Sequence, residues 1–516
     1  MNQTWKEADR RQLDARGISL AEADRQMTVL RGPAPALTLD RPCTIGDGLQ
    51  SLAPDRALAL ADRGCACAAA GRTRLFIPAS GAATRMFREL QASRERPALM
   101  QAAGLASAAA EGDADALVLK AFLEGFDRFA FSDALSAVLA ARGKDAGELR
   151  QHGPFGDLLA ALLEPEGLDC ARLPKALLLF HREGAGARTP FEDHLADAAE
   201  LAADRRGAVR AHFTIPAGQR AGFERLLERE AAGAAARGSR LEVTFSEQSP
   251  ATDTLAADED GEAFRDRTGQ LLLRPSGHGA LLGNLERYGG DLAFIRNVDN
   301  IAASPWRASA RSWALALIGL LEETQEEVGR LLIRLRDAGD GGAPAAAVRF
   351  LGEVSGEDGE TRAGPPDRAR LARRLARPIR VCGMVPNTGE PGGGPVWVRT
   401  PGDATLPQIV ESAQLGPDPA QRRIFEASTH FNPVFLACGL RDAAGEPFAL
   451  EAFTDPAAAI VTRKPSRGRE LRALERPGLW NGSMAGWISR FVEVPLDVFC
   501  PVKSVLDLLR AEHQPR

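Results

Sequence analysis

Short apolar runs alternate with amphipathic stretches along most of the chain. The run RTRLFIPAS has the composition of a strand, stops at small residues, and reopens as TRMFRELQAS with helical spacing. From about 91 to 170 the text is Ala- and Leu-rich with helical periodicity (AFLEGFDRFAFSDALSAVLAARG, FGDLLAALLEP), which predicts a helical insertion. Strand and helix patterns then follow one another: KALLLFH, helix EDHLADAAELAADRR, AVRAHFTIP, helix GQRAGFERLLEREAAG, LEVTFSEQ, QLLLRP, helix GALLGNLERYG and DLAFIRNVDN. Such alternation requires crossover connections. It predicts an α/β fold of three layers, with a mostly parallel, Rossmann-like sheet covered by helices on both faces.

Residues 1–70 have a mostly helical pattern broken at RGPAPALTLDRP, and they are expected to form an N-terminal helical cap. Residues 71–512 are expected to form one α/β domain, interrupted by the insertion at 91–170 and by a helical and loop insertion at 306–375. The second insertion holds the long amphipathic helix WALALIGLLEETQEEVGRLLIRLRDAG and the polar loops GDGGAPAAA and SGEDGETRAGPPD. Strand patterns resume at RPIRVCGMV, PVWVR, LPQIVES and FVEVP.

Composition narrows the function classes. At 516 residues the chain exceeds a single typical core, and 44% hydrophobic with 26% charged residues is the balance of a globular protein. A formal net charge of -5 gives no general attraction for nucleic acid, so any anion site must be local. No apolar stretch approaches a membrane span, and MNQTWKEADRRQLDARG lacks a secretory pattern. Seven scattered cysteines without paired CxxC units are expected to be reduced thiols. These features together predict a cytoplasmic protein.

The candidate chemistry begins at SGAATRM. A strand that ends in a small-residue loop and runs into a helix exposes backbone N–H groups beside the positive end of a dipole, which suits phosphate. Thr84 and Arg85 would add a hydroxyl and a fixed cation to that cradle. The competing reading is a plain tight turn in an alanine-rich chain, since the loop matches neither the Walker pattern nor GxGxxG.

Other motifs follow in an informative order. SGAATRM resembles the GGxGTRL loop of sugar-nucleotide pyrophosphorylases, with Ser80, Gly81, Ala82, Ala83, Thr84, Arg85 and Met86 on successive positions. LPKALLLFH resembles the PKxLLPV segment of that nucleotidyltransferase superfamily, and RTPFEDHL its next helix start. FSEQ, RPSGHGALLGNL, VDNI and FVEVPLDVFCPVKSVLDLL fall in the order of the UDP-sugar branch. At a finer level the chain resembles domain-of-unknown-function family 4301, which shares PASGAATRMF, RPxGHGAL, GEPGGGP, STHFNP and PGLWNG over roughly residues 70–512.

The resemblance implies a sheet of the nucleotide-diphospho-sugar transferase type and a reaction in which a sugar 1-phosphate oxygen attacks the α-phosphorus of an NTP, UTP by the branch, with pyrophosphate leaving. Such catalysis consists mainly of alignment and charge neutralisation. Arg85, Lys175 and Lys503 would be the neutralising cations, and Asp299, at the end of DLAFIRNVD, would hold Mg²⁺. The alternative is that Asp299 and Asn300 merely cap the next turn. Gln248 and Gly277 fall on positions that recognise the uracil edge, and small residues around His278 would let a base approach the backbone. His278 reads either as a general base or as a helix-start histidine with structural hydrogen bonds.

Glu411 and Asn432 fall on sugar-contacting positions, and His430 has no assigned role. NTGEPGGGPV reads as a mobile loop on the sugar side or as a surface turn. The cluster Arg463, Lys464, Arg467 and Arg469 reads as a phosphate attractor or as a solvated face. Ala83 and Ser80 replace glycines of the typical loop, which favours the alternative of a non-catalytic nucleotide or sugar-nucleotide sensor.

Overall fold

The apolar runs become strands. In chain order those that position the candidate residues are β1 (Gly48–Gln50), β2 (Thr73–Pro78), β3 (Ala208–Thr214), β4 (Arg240–Ser246), β5 (Leu292–Arg296), β6 (Ile379–Pro386), β7 (Phe435–Gly439) and β8 (Ile488–Glu493). The computed structural model describes residues 5–515 apart from 82, 185, 356–366, 390–391, 401–404 and 467. The chain divides into two compact units, one of residues 1–76, 246–295 and 312–496, the other of 77–245, 296–311 and 497–516.

In the first unit the strands lie in the order β1-β8-β6-β7-β5-β2. β1 runs parallel to β8, β8 to β6 and β5 to β2, whereas β7 is antiparallel to β6. Every residue of β6 but Pro386 is buried, so both faces of this mostly parallel sheet are covered. The long helix over Ala308–Arg336 crosses the helix Pro54–Ala69 at very short range. A Cβ at Gly319 would lie 1.9 Å from the Leu60 carbonyl oxygen, and one at Gly64 would lie 2.1 Å from that of Leu315. Only glycine permits that approach.

Residues 1–70 are not helical throughout. The helices Glu7–Arg16 and Leu20–Arg31 place Leu13, Ile18, Met27 and Leu30 in one core cluster with Leu255, Leu271 and Leu474. The proline-rich stretch after them cannot continue a helix and goes extended, giving strand Leu39–Pro42, which pairs Gly394–Arg399, and then β1.

In the second unit β3 and β4 are neighbours in the sheet. The stretch 91–170 is helical, and its core includes Phe122, Phe129 and Phe131, with the Phe129 and Phe131 rings stacked at 4.9 Å. Val502, Val505 and Leu508 from the C-terminal segment complete that core.

Two element expectations fail locally. KALLLFH is not one strand: Lys175–Leu177 is a 3-10 turn, and the strand starts at His181, pairing Gly186–Arg188. The turn forms because the Lys175 N–H is bonded to the Gly81 carbonyl, which draws the chain away from a ladder. TRMFRELQAS opens as a 3-10 turn at Ala83–Arg85, and the α-helix begins only at Arg88.

Candidate functional site

The small-residue loop and three distant segments meet in the second unit. The Ala79 N–H donates to Thr214 O at 2.9 Å, which fixes where the loop leaves the sheet. The Ala83 N–H donates to Leu173 O at 3.3 Å and the Lys175 N–H to Gly81 O at 3.2 Å, so the loop and residues 173–175 are tied backbone to backbone. Lys175 Nζ then donates to Asp299 Oδ2 and to Val502 O, both at 2.7 Å. The Val502 N–H returns to Asp299 O at 3.0 Å, and the Val505 N–H reaches Met86 O at 3.0 Å. The Lys175 and Asp299 side chains are each 13% exposed, enough to meet a ligand and little enough to strengthen their attraction.

Arg85 and Thr84 are exposed on the turn that Val505 engages, and Lys503 is exposed next to Val502. Neither cationic head has a hydrogen-bond or ion-pair partner among the described residues. Ser80 is half-buried, and a Cβ at Gly81 would meet no atom within 4 Å, so open space lies above the loop. Ala82 lies outside the described residues. The helix that was to supply a dipole begins three residues beyond Arg85, and Ala83, fully buried, spends its amide on Leu173. The groups that face the open space at this loop are therefore side-chain cations and not a helix N-terminus.

Asn300 Oδ1 accepts from the Cys500 N–H at 2.9 Å and so pins the loop after β5 to the C-terminal segment. The residues present do not by themselves fit a protein-held Mg²⁺. Asp299 is a single carboxylate already occupied by an ammonium, and no group of three or more His, Cys, Asp or Glu among the described residues is placed to hold a metal.

Beneath this knot lies a buried ionic network that sequence reading missed. His181 Nδ1 is 2.5 Å from Asp193 Oδ2, and His181 Nε2 is 2.8 Å from His513 Nδ1. Arg307 pairs with Asp193 Oδ1 at 2.6 Å and donates to Ala302 O at 2.7 Å. Burial works to raise the Asp193 carboxyl, but the His181 hydrogen bond and the Arg307 and Arg188 charges hold it below the usual carboxylate range. His194 Nε2 donates to Val298 O at 3.0 Å, and burial, helped by Arg296, pushes this histidine down to about 3. The network thus grips both sides of Asp299. Its only sequence signal was the acidic FEDHLADAAEL, which reads equally well as a solvated helix face.

The remaining candidates lie in the first unit. His278 stacks on Trp480 with ring centres 4.0 Å apart, and its Nδ1 accepts the Leu479 N–H at 2.9 Å. Because Nδ1 is an acceptor, the ring proton of the neutral form sits on Nε2, 3.7 Å from Glu411 Oε1. Gly277 has φ +77°, and a Cβ on it would lie 3.1 Å from Glu475 Oε2; one on Gly279 would lie 2.1 Å from Pro477 O. In those directions the two glycines face the chain's own Glu475 side chain and the carbonyl of Pro477, the first residue of PGLWNG.

Asn432 donates its N–H to Gly393 O at 2.8 Å and accepts the Val434 N–H at 3.0 Å. Its Nδ2 is buried without a hydrogen-bond partner. Asn481 has an equally orphaned Oδ1, which faces the place where a Gly478 Cβ would be, as does His278 Nε2. His430 Nε2 lies 3.3 Å from Glu493 Oε1 at the carboxyl end of β8. Gln248 is half-buried. Lys464 pairs with Glu475 at 3.0 Å and Arg463 with Glu470 at 3.4 Å, so the basic cluster is partly neutralised; Arg467 lies outside the described residues, as do Glu390 and Pro391 of the glycine-rich loop.

The molecule is an α/β protein with a largely parallel sheet, and a lysine–carboxylate pair is clamped beside its open small-residue loop. The chain belongs to the domain of unknown function family DUF4301, whose model matches residues 6–514. No curated protein matches it. Among solved structures it is similar to the UDP-N-acetylglucosamine pyrophosphorylase of Trypanosoma brucei, at 16% identity and a TM-score of 0.48, covering 98% of this chain and 79% of that one. It is similar to the UDP-glucose pyrophosphorylase of Leishmania major at 11% identity and a TM-score of 0.43, covering 98% and 79%. For a putative UDP-N-acetylglucosamine pyrophosphorylase of Entamoeba histolytica the values are 12%, 0.42, 89% and 84%. No helix among the described residues is long and apolar enough to cross a membrane.

Proposed function

We propose that the protein is a nucleotidyltransferase that joins an NTP, UTP by the resemblance of its motifs, to a sugar 1-phosphate and releases pyrophosphate. The observation that supports this best is the clamp in which Lys175 Nζ bridges Asp299 and Val502 O while its own backbone holds Gly81. In the reaction a sugar-phosphate oxygen forms a bond to the α-phosphorus, and the bond from that phosphorus to the bridging oxygen of the pyrophosphate breaks. Lys175 would stabilise the charge that develops there, with Arg85 and Lys503, both exposed and unpaired among the described residues, closing on the phosphates. Asp299 orients Lys175.

Within the first unit, His278, with its proton on Nε2, and the orphaned Asn432 Nδ2 and Asn481 Oδ1 would offer donors and an acceptor of the kind a sugar hydroxyl takes. The test is pyrophosphate release from purified protein with UTP and a panel of sugar 1-phosphates. Turnover that disappears in Lys175→Met supports the proposal, and silence with all four NTPs sinks it. A second reading, a non-catalytic nucleotide sensor, is favoured by one observation: Ala83 is buried with its amide engaged, so the loop offers a phosphate fewer backbone donors than its glycine-rich counterparts. Nucleotide binding without turnover would select it.

A further inference from the structure

A cavity of 630 Å³ lies in the first unit at the amino ends of the parallel strands, where Arg72 precedes β2, Asp291 precedes β5 and Ile379 starts β6. His430 and Glu493 lie at the other end of the same strands, paired in register with Pro386 and Met384. Eight residues of β6 separate the two ends, roughly 23 Å, so a ligand in the cavity cannot touch those residues. The volume is that of a small-molecule site.

The lining has three chemistries. Its acidic groups are answered by neighbours: Asp291 and Glu322 hold Arg72 at 2.8 and 2.7 Å, Glu322 and Glu326 hold Arg63 behind the wall at 3.0 and 2.5 Å, and Asp442 accepts the Ala444 and Glu446 N–H groups at 2.8 and 2.9 Å. Arg336 and Arg373, which come from different helices, line the cavity with no acidic partner among the described residues, and Arg441 lines it from the turn after β7. The net field therefore favours an anion. Leu332 and Phe448, both half-buried, give an apolar wall. Gln325 adds an acceptor, since its Oε1 is buried without a donor while Nε2 lies where a Cβ on Gly439 would come within 2.4 Å. A buried acceptor left unanswered in a cavity wall calls for a donor from a ligand.

We propose that this cavity is a second binding site, for a small anion that carries a flat apolar face and a hydrogen-bond donor, the chemistry of a nucleoside monophosphate. The phosphate would take Arg336 and Arg373, the base would lie against Leu332 and Phe448, and a base N–H would answer Gln325.

The test uses calorimetric titration of AMP, UMP and inorganic phosphate into full-length protein, where any binding at the clamp is the part that survives charge reversal of the two cavity arginines. One monophosphate is expected to bind more tightly than phosphate alone. Adding Arg336→Glu with Arg373→Glu, both exposed and so compatible with folding, should weaken it at least about tenfold. Gln325→Leu should weaken it separately, while inorganic phosphate should be indifferent to that change. Absence of binding by both monophosphates, or unchanged affinity in the double arginine variant, overturns the proposal.

Discussion

A single ammonium does most of the joining at the candidate site. Lys175 touches a carboxylate, a carbonyl and, through its backbone, the small-residue loop, so its loss removes both a charge and the alignment of three segments. Lys175→Met is expected to lower kcat/KM for pyrophosphate release by about 10²–10³. Asp299→Asn keeps the shape but frees the ammonium, and a smaller loss carried mainly by kcat is expected in the same assay. Glycine 279 tests the packing of the two family motifs against each other. A Cβ there would sit 2.1 Å from a backbone oxygen that cannot swing aside, so Gly279→Ala should destabilise by about 1–3 kcal/mol or more, read as a lower urea midpoint. The residue types that recur in known chemistry were readable from sequence, because a loop, a lysine and an aspartate kept their order. Trp480 and Asn481 were not, because nothing in PGLWNG says which partner its backbone will meet.

At the scale of elements, the helix Pro190–Leu201 carries the charges that hold the loop after β5 in place. Asp193→Ala leaves Arg307, 3% exposed, without its carboxylate, and a loss of about 3–5 kcal/mol in unfolding free energy is expected. Acid should act on the same elements. Burial and Arg296 push His194 down to about 3, and burial with His181 does the same to His513. Both are therefore neutral when folded, while the unfolded side chains titrate near ~6.5. Stability is complete above that value and falls as the pH drops from ~6.5 towards about 3, each histidine adding about 1.4 kcal/mol per pH unit to the slope. Urea unfolding across pH 5 to 7 measures it, and His194→Gln should flatten the curve.

The strands here were largely legible, since DLAFI, AVRAHF and RVCGMV are apolar runs of strand length whose burial on both faces leaves no other reading. KALLLFH misled because apolarity alone does not separate a strand from a buried turn. The decisive contact, Lys175 N–H to Gly81 O, joins residues far apart in sequence. Buried ion pairs escaped for a similar reason: a helix that reads as acidic and amphipathic gives no sign that arginines from residues 296 and 307 will close over it.

For the whole molecule, the second unit is assembled from three separate stretches, and the last of them, 497–516, supplies fully buried Val502 and Leu508 as well as the carbonyl that Lys175 grips. A chain ending at Leu496 should therefore lose protease resistance across residues 77–245 while retaining protected fragments from the first unit, a pattern that mass spectrometry of the digest would show. Family membership was readable in the sequence because its motifs are contiguous; the division into units was not, because each unit is stitched from distant segments. That stitching sets an order of events during synthesis. The lysine that ties the small-residue loop is translated long before its carbonyl anchor at Val502, so a growing polypeptide cannot close this clamp until that residue clears the ribosome, and products terminated before it should lack the clamp.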